Sequence, residues 1–316
     1  MERAIYVGID LGGTAIKAGI CDADGRLIHT AECPTPVKEG AEAVVQRIAE
    51  LARQLVEASP YHWDQVAGVG AGIPGFLDME EGHVKHSVNL GWEDVPVKQW
   101  LEANLGKSVK IDNDANAAAL GEAWGGAGAG IPNVVCYTLG TGVGGGIIVK
   151  RRLIQGFSGM AGEIGHIPVV PDDHAIRCGC GKYGCLETVS SATGMVHMAE
   201  AALKVGLSSS LSVLANITAK DVVEHAVAGD PIALNIVSIA AGYIGKSMAI
   251  LSVVVNPQRF IIGGGVAQAG EFLLNLIDRH YRENALHTAQ DGVEIVPASL
   301  GNNAGVVGAA GLHLFG

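Results

Sequence analysis

The sequence contains few charged and few aromatic residues. Of its 316 residues, 17% are Asp, Glu, Lys or Arg and 5% are Phe, Trp or Tyr. Acidic residues outnumber basic ones by 32 to 21, so the formal net charge is −11, and the basic residues form no cluster. Such a charge disfavours nonspecific binding to nucleic acid and to anionic membrane surfaces. We therefore expect neither a nucleic-acid partner nor a membrane partner.

Three kinds of segment are also missing. The first residues run directly into a strand pattern, without the apolar core and cleavage site of a signal peptide. No apolar stretch reaches the roughly 20 residues that a transmembrane helix needs. These two absences predict a soluble, cytoplasmic protein. The third missing segment is the G-x-x-x-x-G-K-[ST] motif, and its absence excludes a P-loop enzyme.

Glycine, in contrast, is abundant. The 45 glycines are about twice the ordinary usage, and they fall in short motifs. A strand, a glycine-rich turn and a second strand are predicted over 4–21, and the same order recurs over 133–149. The chain is long enough for two domains. The repetition therefore predicts two related α/β lobes, with a small-molecule cleft between them.

The hydrophobic pattern predicts the elements around these turns. Asp230 and Pro231 are typical of a helix cap and a first helical residue, and Asn256-Pro257 would end that helix near 255. The predicted strands are 4–10, 15–21, 26–33, 65–71, 108–112, 258–262 and 293–297. The predicted helices include 40–58, 96–105, 114–124 and 303–314.

The cysteines are concentrated in one short segment. Three of the six lie within eight residues, at Cys178, Cys180 and Cys185, downstream of His166. A Cys₃His set supplies the four ligands of a tetrahedral structural zinc site. A disulfide would leave one of the three thiols unpaired, and thiolates are poor ligands for Mg²⁺ or Ca²⁺. We therefore predict zinc at His166, Cys178, Cys180 and Cys185.

Two glycine motifs satisfy G-x-G-x-x-G by letter, Gly70–Gly75 and Gly140–Gly145. Neither is followed by a helix pattern, so a dinucleotide-binding fingerprint is disfavoured. Glycine hairpins can instead present backbone N–H groups to a phosphate chain. Thr14 and Thr141 would add hydroxyl donors, and Asp10 could hold Mg²⁺ directly or through water. Tight hairpins without a ligand remain the alternative.

Asp114 is the candidate catalytic base. It lies at a predicted helix N-terminus, where the helix dipole favours an ionised carboxylate. An ordinary N-terminal cap is the alternative, since many Asp residues in this position have that role. A hydroxyl-rich ligand needs several polar groups that converge. The candidates for such a set are Asn89, Asn113, Asn116, Glu163, His166 and Glu187.

Together these motifs resemble the ROK family of bacterial sugar kinases and related repressors, in the actin/hexokinase superfamily. The resemblance spans essentially the whole chain. It implies an α/β fold of the two-lobed, actin-like ATPase or ribonuclease H-like class with a cleft between lobes. The motifs that carry it are Asp10-Leu-Gly-Gly-Thr14, Asn113-Asp-Ala-Asn116, Leu139-Gly-Thr-Gly-Val-Gly-Gly145, Gly162-Glu-Ile-Gly-His166 and Cys178-Gly-Cys-Gly-x-x-Gly-Cys-Leu-Glu187.

The same resemblance implies the domains and the reaction. A small N-terminal lobe would comprise 1–122 and 301–316, and a large lobe carrying the zinc loop would comprise 123–300. The chain would transfer a phosphoryl group from ATP to the 6-hydroxyl of glucose, with Mg²⁺, a structural Zn²⁺ and a homodimeric state. Asp114 would be the general base that accepts the proton of that hydroxyl.

The resemblance also implies ligand contacts. Those for the sugar are Asn89, Asn113, Asp114, Glu163, His166 and Glu187. Those for ATP and its Mg²⁺ are Asp10, Gly12, Gly13, Thr14, Lys17, Gly140, Thr141, Gly142, Gly264, Gly265 and Asn302.

Other members of the family would share most of these motifs, and they give two rival hypotheses. A kinase of the same family for N-acetylmannosamine, fructose or allose would carry them too, whereas Asn89-Leu-Gly-Trp92 and Glu163 favour glucose by resemblance. A sugar-responsive repressor of the family would carry a helix-turn-helix domain before the first glycine hairpin. Because that hairpin begins at residue 10 and the chain is acidic, we expect a kinase and not a repressor.

Overall fold

The computed structural model describes residues 4–316. The strands are β1 Ile5–Leu11, β2 Ala15–Cys21, β3 Leu27–Pro34, β4 Val66–Ile73, β5 Phe76–Asp78, β6 His83–Ser87, β7 Trp92–Val95, β8 Val109–Asn113, β9 Val134–Leu139, β10 Val143–Val149, β11 Arg152–Leu153, β12 Arg259–Gly263 and β13 Glu294–Pro297. The α-helices are α1 Ala41–Glu57, α2 Val97–Leu105, α3 Asp114–Gly125, α4 Glu187–Ser190, α5 Ala192–Lys204, α6 Ala219–Val227, α7 Pro231–Val254, α8 Glu271–Asn284, α9 His287–Gln290 and α10 Ala304–Phe315.

The described chain divides into two compact units. The first comprises the described residues up to Pro132, Gly146–Gly162 and Ser299–Gly316. The second comprises Asn133–Gly145 and Glu163–Ala298. These bounds differ from the predicted lobes, because the packing assigns 123–132, 146–162 and 299–300 to the first unit.

The first unit is built on a five-stranded sheet in the order β3-β2-β1-β4-β8. Strands β1, β2 and β3 form the predicted antiparallel meander, while β4 and β8 continue the sheet in parallel. Helix α1 is amphipathic and buries residues such as Val44, Ile48 and Leu55 in the core that the sheet also lines.

Helix α10 packs on this sheet and on α3. Glycines allow its backbone to approach closely. A Cβ added at Gly8 of β1 would lie 1.9 Å from the Val306 carbonyl oxygen, and one added at Gly308 of α10 would lie 1.6 Å from that of Ala117. Side chains cannot fit at these points. The last helix of the described chain is therefore a central layer of the first unit.

A second five-stranded sheet repeats the strand order of the first. It runs β11-β10-β9-β12-β13, with β12 parallel to β9 and β13 parallel to β12. Strand β10 begins in the second unit and ends in the first. The predicted repetition of the opening hairpin is thus confirmed, and it extends to the parallel strands that follow each hairpin.

Two features differ from the sequence prediction. The strands β5, β6 and β7 form a small antiparallel sheet that the hydrophobic pattern did not indicate. Helix α7 spans 24 residues, with a mean hydropathy of 1.6 in its most apolar window. The statement that no apolar stretch reaches membrane-spanning length was therefore wrong. By length and composition alone α7 could span a membrane, but 61% of that window is buried within the protein.

Candidate active site

The first glycine hairpin places Asp10 and Lys17 opposite each other. They are register partners across β1 and β2. The turn between them is closed by the Gly12 N–H, which donates to the Ala15 carbonyl at 2.9 Å. Burial raises the pKa of the Asp10 carboxyl, an effect that the Lys17 ammonium group opposes and the nearby Asp114 carboxylate reinforces. The hairpin therefore presents a carboxylate beside a cation and exposed backbone at Gly13 and Thr14.

Asn89 lies in the turn between β6 and β7, next to this hairpin. A Cβ added at Gly13 would lie 3.1 Å from the Asn89 carbonyl oxygen. The Asn89 side chain is exposed. The structure thus brings a candidate sugar contact and a candidate phosphate-binding turn together within the first unit.

Asn113 and Asp114 have different roles at the start of α3. The Asn113 side chain is the cap, since its Oδ1 accepts the N–H groups of Ala115 at 2.8 Å and Asn116 at 3.3 Å. Asp114 is the first helical residue, and its Oδ1 also accepts the Ala115 N–H, at 2.9 Å. Burial raises the pKa of the Asp114 carboxyl above its usual range. A simple capping role therefore belongs to Asn113, and Asp114 is left with a desolvated carboxylate.

Asn302 lies in a 3₁₀ turn, Gly301–Asn303, that leads into α10. The first turn of α10 lies against Asp10, because a Cβ added at Gly305 would be 2.8 Å from the Asp10 Cγ. The approach to this turn is fixed by Glu122, whose carboxylate accepts the N–H groups of Ser299 and Leu300 at 3.0 and 2.8 Å.

In the second unit, two glycine turns and the start of α4 converge. A Cβ added at Gly142 would lie 2.7 Å from the Glu187 Oε2, and one added at Gly264 would lie 2.4 Å from the Leu139 carbonyl oxygen. The Gly140 carbonyl accepts the Ala192 N–H at 2.8 Å. Gly264 has a φ of 88°, which a residue with a side chain rarely adopts.

These turns form one wall of a cavity of about 610 Å³ in the second unit. Its lining includes Gly140, Thr141 and Gly265, and helix α6 supplies Lys220, Val223 and other residues. A largely apolar lining with a few polar groups is typical of a pocket for a small organic ligand. The structure thus brings three of the predicted ATP residues of this unit to one cavity, while Gly142 and Gly264 do not line it.

The predicted zinc ligands form a compact cluster. One ligand atom from each of His166, Cys178, Cys180 and Cys185 can be chosen so that all four lie within 4.8 Å of one another. His166 Nδ1 lies 3.7 Å from Cys178 Sγ, and Cys180 Sγ lies 3.7 Å from Cys185 Sγ. Zn–S bonds of about 2.3 Å in a tetrahedron require S–S separations of about 3.8 Å. The donor set and its spacing fit zinc.

Glu163 and Glu187 flank the same cluster. His166 Nε2 lies 3.9 Å from Glu163 Oε2, while His166 Nδ1 lies 3.7 Å from Glu187 Oε1. The Cys178 thiol donates to Glu187 Oε1 at 2.9 Å. The three sugar contacts predicted in this unit therefore lie together, beside the metal ligands.

Several residues of this region were not predicted from the sequence. Asp112 is fully buried, and Gln155 reaches it from a loop more than 40 positions away. Within the described residues, Ser87 Oγ and Trp92 Nε1 are buried atoms without a hydrogen-bond partner, and they belong to register partners in the hairpin that carries Asn89. Asp112 stands in the Asp-Asn-Asp motif, which was the one signal available. The positions of Gln155, Ser87 and Trp92 depend on tertiary contacts, which the sequence does not indicate.

Comparison with known proteins agrees with the fold and with these motifs. The sequence matches the ROK family over residues 6–314. The curated glucokinase of Halalkalibacterium halodurans is 43% identical over 312 residues, which cover 98% of this chain and 94% of that protein.

Two solved structures are similar over nearly the whole chain. The ROK hexokinase from Thermus thermophilus gives a TM-score of 0.84 at 34% identity, with 97% of this chain and 96% of that chain covered. The ROK family glucokinase from Streptomyces griseus, solved with glucose and AMPPNP, gives 0.78 at 36% identity, with 98% and 99% covered. Two α/β units and two five-stranded sheets with the same strand order thus define an actin-like ATPase fold. Within that class, the chain belongs to the ROK family.

Proposed function

We propose that this protein is an ATP-dependent glucose kinase that phosphorylates the 6-hydroxyl of the sugar. Its 43% identity to a curated glucokinase supports the activity, and the similar structure with bound glucose and AMPPNP supports both substrates. The observation that carries the proposal within this chain is the division of roles at α3, where Asn113 caps the helix and leaves Asp114 as a half-buried carboxylate.

Asp114 would act as the general base. A sugar alcohol is a poor nucleophile at neutral pH, so phosphoryl transfer benefits from a carboxylate that accepts the hydroxyl proton as the new bond forms. Burial raises the pKa of Asp114 and so makes the ionised form more basic. The proton would pass from the sugar oxygen to a carboxylate oxygen of Asp114.

The sugar hydroxyls would be held by short polar side chains. We assign Asn89 and Asn113 to this role in the first unit, together with Glu163, His166 and Glu187 in the second. The Asn113 Oδ1 is already used in the cap, and one Nδ2 hydrogen is directed to the Gly75 carbonyl at 3.3 Å. Asn113 therefore has one free donor hydrogen for the sugar, which suits a hydroxyl oxygen as acceptor.

ATP would be bound through backbone and small side chains. The turns at Gly12–Thr14 and Gly140–Gly142 would donate N–H groups and hydroxyls to its phosphates. The 610 Å³ cavity of the second unit, which includes Gly265, would hold the nucleoside. Gly264 and Asn302 would also contact ATP. Asp10 would hold Mg²⁺, directly or through water, and the bound ion would neutralise charge on the phosphates.

The Cys₃His cluster would hold a structural zinc. The bound zinc would stabilise the folded form of the loop that carries these ligands, because folding of such loops depends on the metal. Since His166 is both a zinc ligand and a proposed sugar contact, the metal would orient part of the sugar site. We further propose that the protein is a cytoplasmic homodimer, on the grounds of family membership and the frequency of twofold oligomers. A monomer mass by sedimentation at micromolar concentration would contradict the dimer.

The first experiment is a measurement of ADP release with ATP and Mg²⁺ against glucose, mannose, fructose, allose, N-acetylglucosamine and N-acetylmannosamine. Turnover on glucose above the other sugars is expected. Turnover on a different sugar would retain a sugar kinase but contradict the glucose assignment, and no turnover on any sugar would contradict the proposed function.

The base assignment has its own test. Asp114→Asn should abolish phosphoryl transfer while glucose binding, measured by calorimetry, is preserved. Asp64→Asn, at an exposed position, is the matched control and should keep wild-type turnover. An Asp114→Asn variant with near-wild-type turnover would show that Asp114 is not the base.

A further inference from the structure

Asp112 is a fully buried carboxylate at the end of β8, with a relative exposure of 0%. Burial raises its pKa, and the hydrogen bonds it accepts oppose that shift. Its Oδ1 accepts the Asn113 N–H at 2.7 Å and the Asn116 Nδ2 at 2.9 Å. Its Oδ2 accepts the Gln155 Nε2 at 2.6 Å. Three donors converge on two oxygens, so the carboxylate has a defined position.

The contacts of Asp112 connect three backbone segments. Asn113 ends β8, and Asn116 lies one turn into α3, so Asp112 joins the strand to the helix on both sides of Asp114. The cap made by Asn113 fixes the same turn from its other face. The position of the Asp114 carboxylate therefore depends on the hydrogen bonds of Asp112.

Gln155 connects Asp112 to a second functional segment. The Gln155 carbonyl accepts the Ala161 N–H at 3.1 Å, which closes a loop two residues before Glu163. The turns of this loop lie at Gly156 and Gly159, which each have a φ of 75°. The side chain of Gln155 thus ties the loop to the strand end that leads to Asp114.

We propose that Asp112 and Gln155 form a positioning pair that holds the catalytic base Asp114 in its working geometry. Neither residue touches the substrate in this proposal, which rests on the proposed sugar kinase function. Charge is not the essential property. The essential property is an acceptor that Gln155, Asn116 and the Asn113 N–H can share.

This distinction leads to a graded set of variants. Asp112→Ala removes all three acceptor contacts. Asp112→Asn keeps one oxygen for the Asn113 and Asn116 donors, and the Gln155 amide can rotate so that its oxygen accepts from the new Nδ2. Gln155→Ala removes only the loop contact. Asp112→Asn is therefore the conservative variant that should rescue function.

The test is the steady-state kinetics of glucose phosphorylation, with wild-type turnover on glucose measured first. We expect Asp112→Ala and Gln155→Ala to lower kcat at least tenfold with little change in the KM for glucose, since a displacement of about 1 Å can cost on the order of 100-fold in rate. Asp112→Asn should stay within about fivefold of wild type. The double variant Asp112→Ala/Gln155→Ala should be no slower than Asp112→Ala, because the two residues act as a unit.

Loss of stability alone is controlled by Ser252→Ala. This change removes a buried hydrogen bond of 2.9 Å to the Tyr281 hydroxyl, within the second unit and outside the proposed site. It should lower the melting temperature without lowering kcat. If Asp112→Ala does not fold, Gln155→Ala alone decides the question.

Three results would overturn the proposal. One is unchanged kcat in Gln155→Ala or Asp112→Ala. Another is a folded Asp112→Asn as slow as Asp112→Ala, which would show that the charge and not the hydrogen-bond geometry matters. The third is a loss of kcat/KM in these variants that is due entirely to a higher KM for glucose. An inactive wild-type protein would instead contradict the proposed function, so the two failures are distinguishable.

Discussion

His166 Nδ1 and Cys178 Sγ lie 3.7 Å apart, the same distance that separates the sulfurs of Cys180 and Cys185. These separations are close to the edges of a tetrahedron around zinc. The loop is held in this form by its own backbone, since the Cys178 N–H donates to the Lys182 carbonyl at 2.7 Å. The donor atoms of this loop thus have the separations that a tetrahedral zinc requires between its ligands.

The first prediction concerns this loop. The wild-type protein should carry about one zinc per chain, the stoichiometry of a single Cys₃His site. Cys180→Ser should carry less zinc and melt at a lower temperature, because a ligand has been lost and the loop folds with the metal. Elemental analysis and thermal melting measure both. Cys33→Ser, a cysteine of β3 outside the loop, is the control and should keep its zinc; equal zinc loss in both variants would contradict the assignment.

The second prediction concerns the stability of the folded protein, which the ionised Asp114 carboxylate lowers. Burial raises the pKa of Asp114 in the folded state, so its ionisation disfavours folding at every pH above the unfolded value of 3.8. The destabilisation grows as the pH rises from that value through the folded pKa, and it is then fully present. Asp114→Asn should thus melt several degrees higher than wild type at pH 8.

The pH dependence is the control for this effect. The difference in melting temperature between the two proteins should shrink as the pH falls through the folded pKa of Asp114 and vanish below the unfolded value of 3.8, where the wild-type carboxyl is protonated in both states. A constant difference from pH 4.5 to 8 would show that ionisation is not the cause. A variant less stable than wild type at pH 8 would contradict the prediction itself.

The third prediction concerns Glu122, which is 3% exposed. Its carboxylate accepts the N–H groups of Ala127, Ser299 and Leu300 at 2.9, 3.0 and 2.8 Å. Glu122→Ala would leave these donors without their partner, and we expect a loss of about 2–4 kcal/mol in the free energy of unfolding. Urea denaturation measures it. Glu57→Ala, at the exposed end of α1, should change stability by less than about 0.5 kcal/mol, and a similar value for Glu122→Ala would refute the role.

The fourth prediction concerns Ser87, whose buried hydroxyl has no hydrogen-bond partner in the structure. Removal of an unsatisfied buried polar group relieves its desolvation penalty, so Ser87→Ala should be neutral or stabilising by up to about 1 kcal/mol. Urea denaturation measures this change too. Ser59→Ala is the control, because its hydroxyl donates to the Val56 carbonyl at 2.7 Å and its loss should destabilise. Clear destabilisation by Ser87→Ala would reveal a partner such as an ordered water.

Local sequence signals predict most of the fold. Apart from β11, which was not predicted, the strands of the two five-stranded sheets lie within about two residues of their predicted bounds, as do the helices α1, α2, α3 and α7. Apolar runs and caps such as Asp230 are local signals. The sheet of β5, β6 and β7 was missed because its strands are short and carry exposed charged residues, among them Lys85 and Glu93. These strands show no alternation of apolar and polar residues to detect.

The candidate site was predictable where its residues are neighbours in sequence. The Cys₃His ligands and the Asn113-Asp114 pair each fall in one short motif. The contact between Asp112 and Gln155 was not predictable, because it joins residues 43 positions apart and neither has a distinctive pattern. The proximity of Asp10 to the first turn of α10 depends on the tertiary fold in the same way.

Helix α10 also bears on the order in which the protein is made. It packs against β1 and α3, yet it follows the whole second unit in the sequence. During synthesis from the N-terminus, the ribosome must complete the second unit before residues 304–315 emerge. The apolar surface of the first sheet that α10 covers stays exposed until then, and such surfaces attract chaperones or aggregate. The core of the first unit is therefore completed only after the second unit has been synthesised.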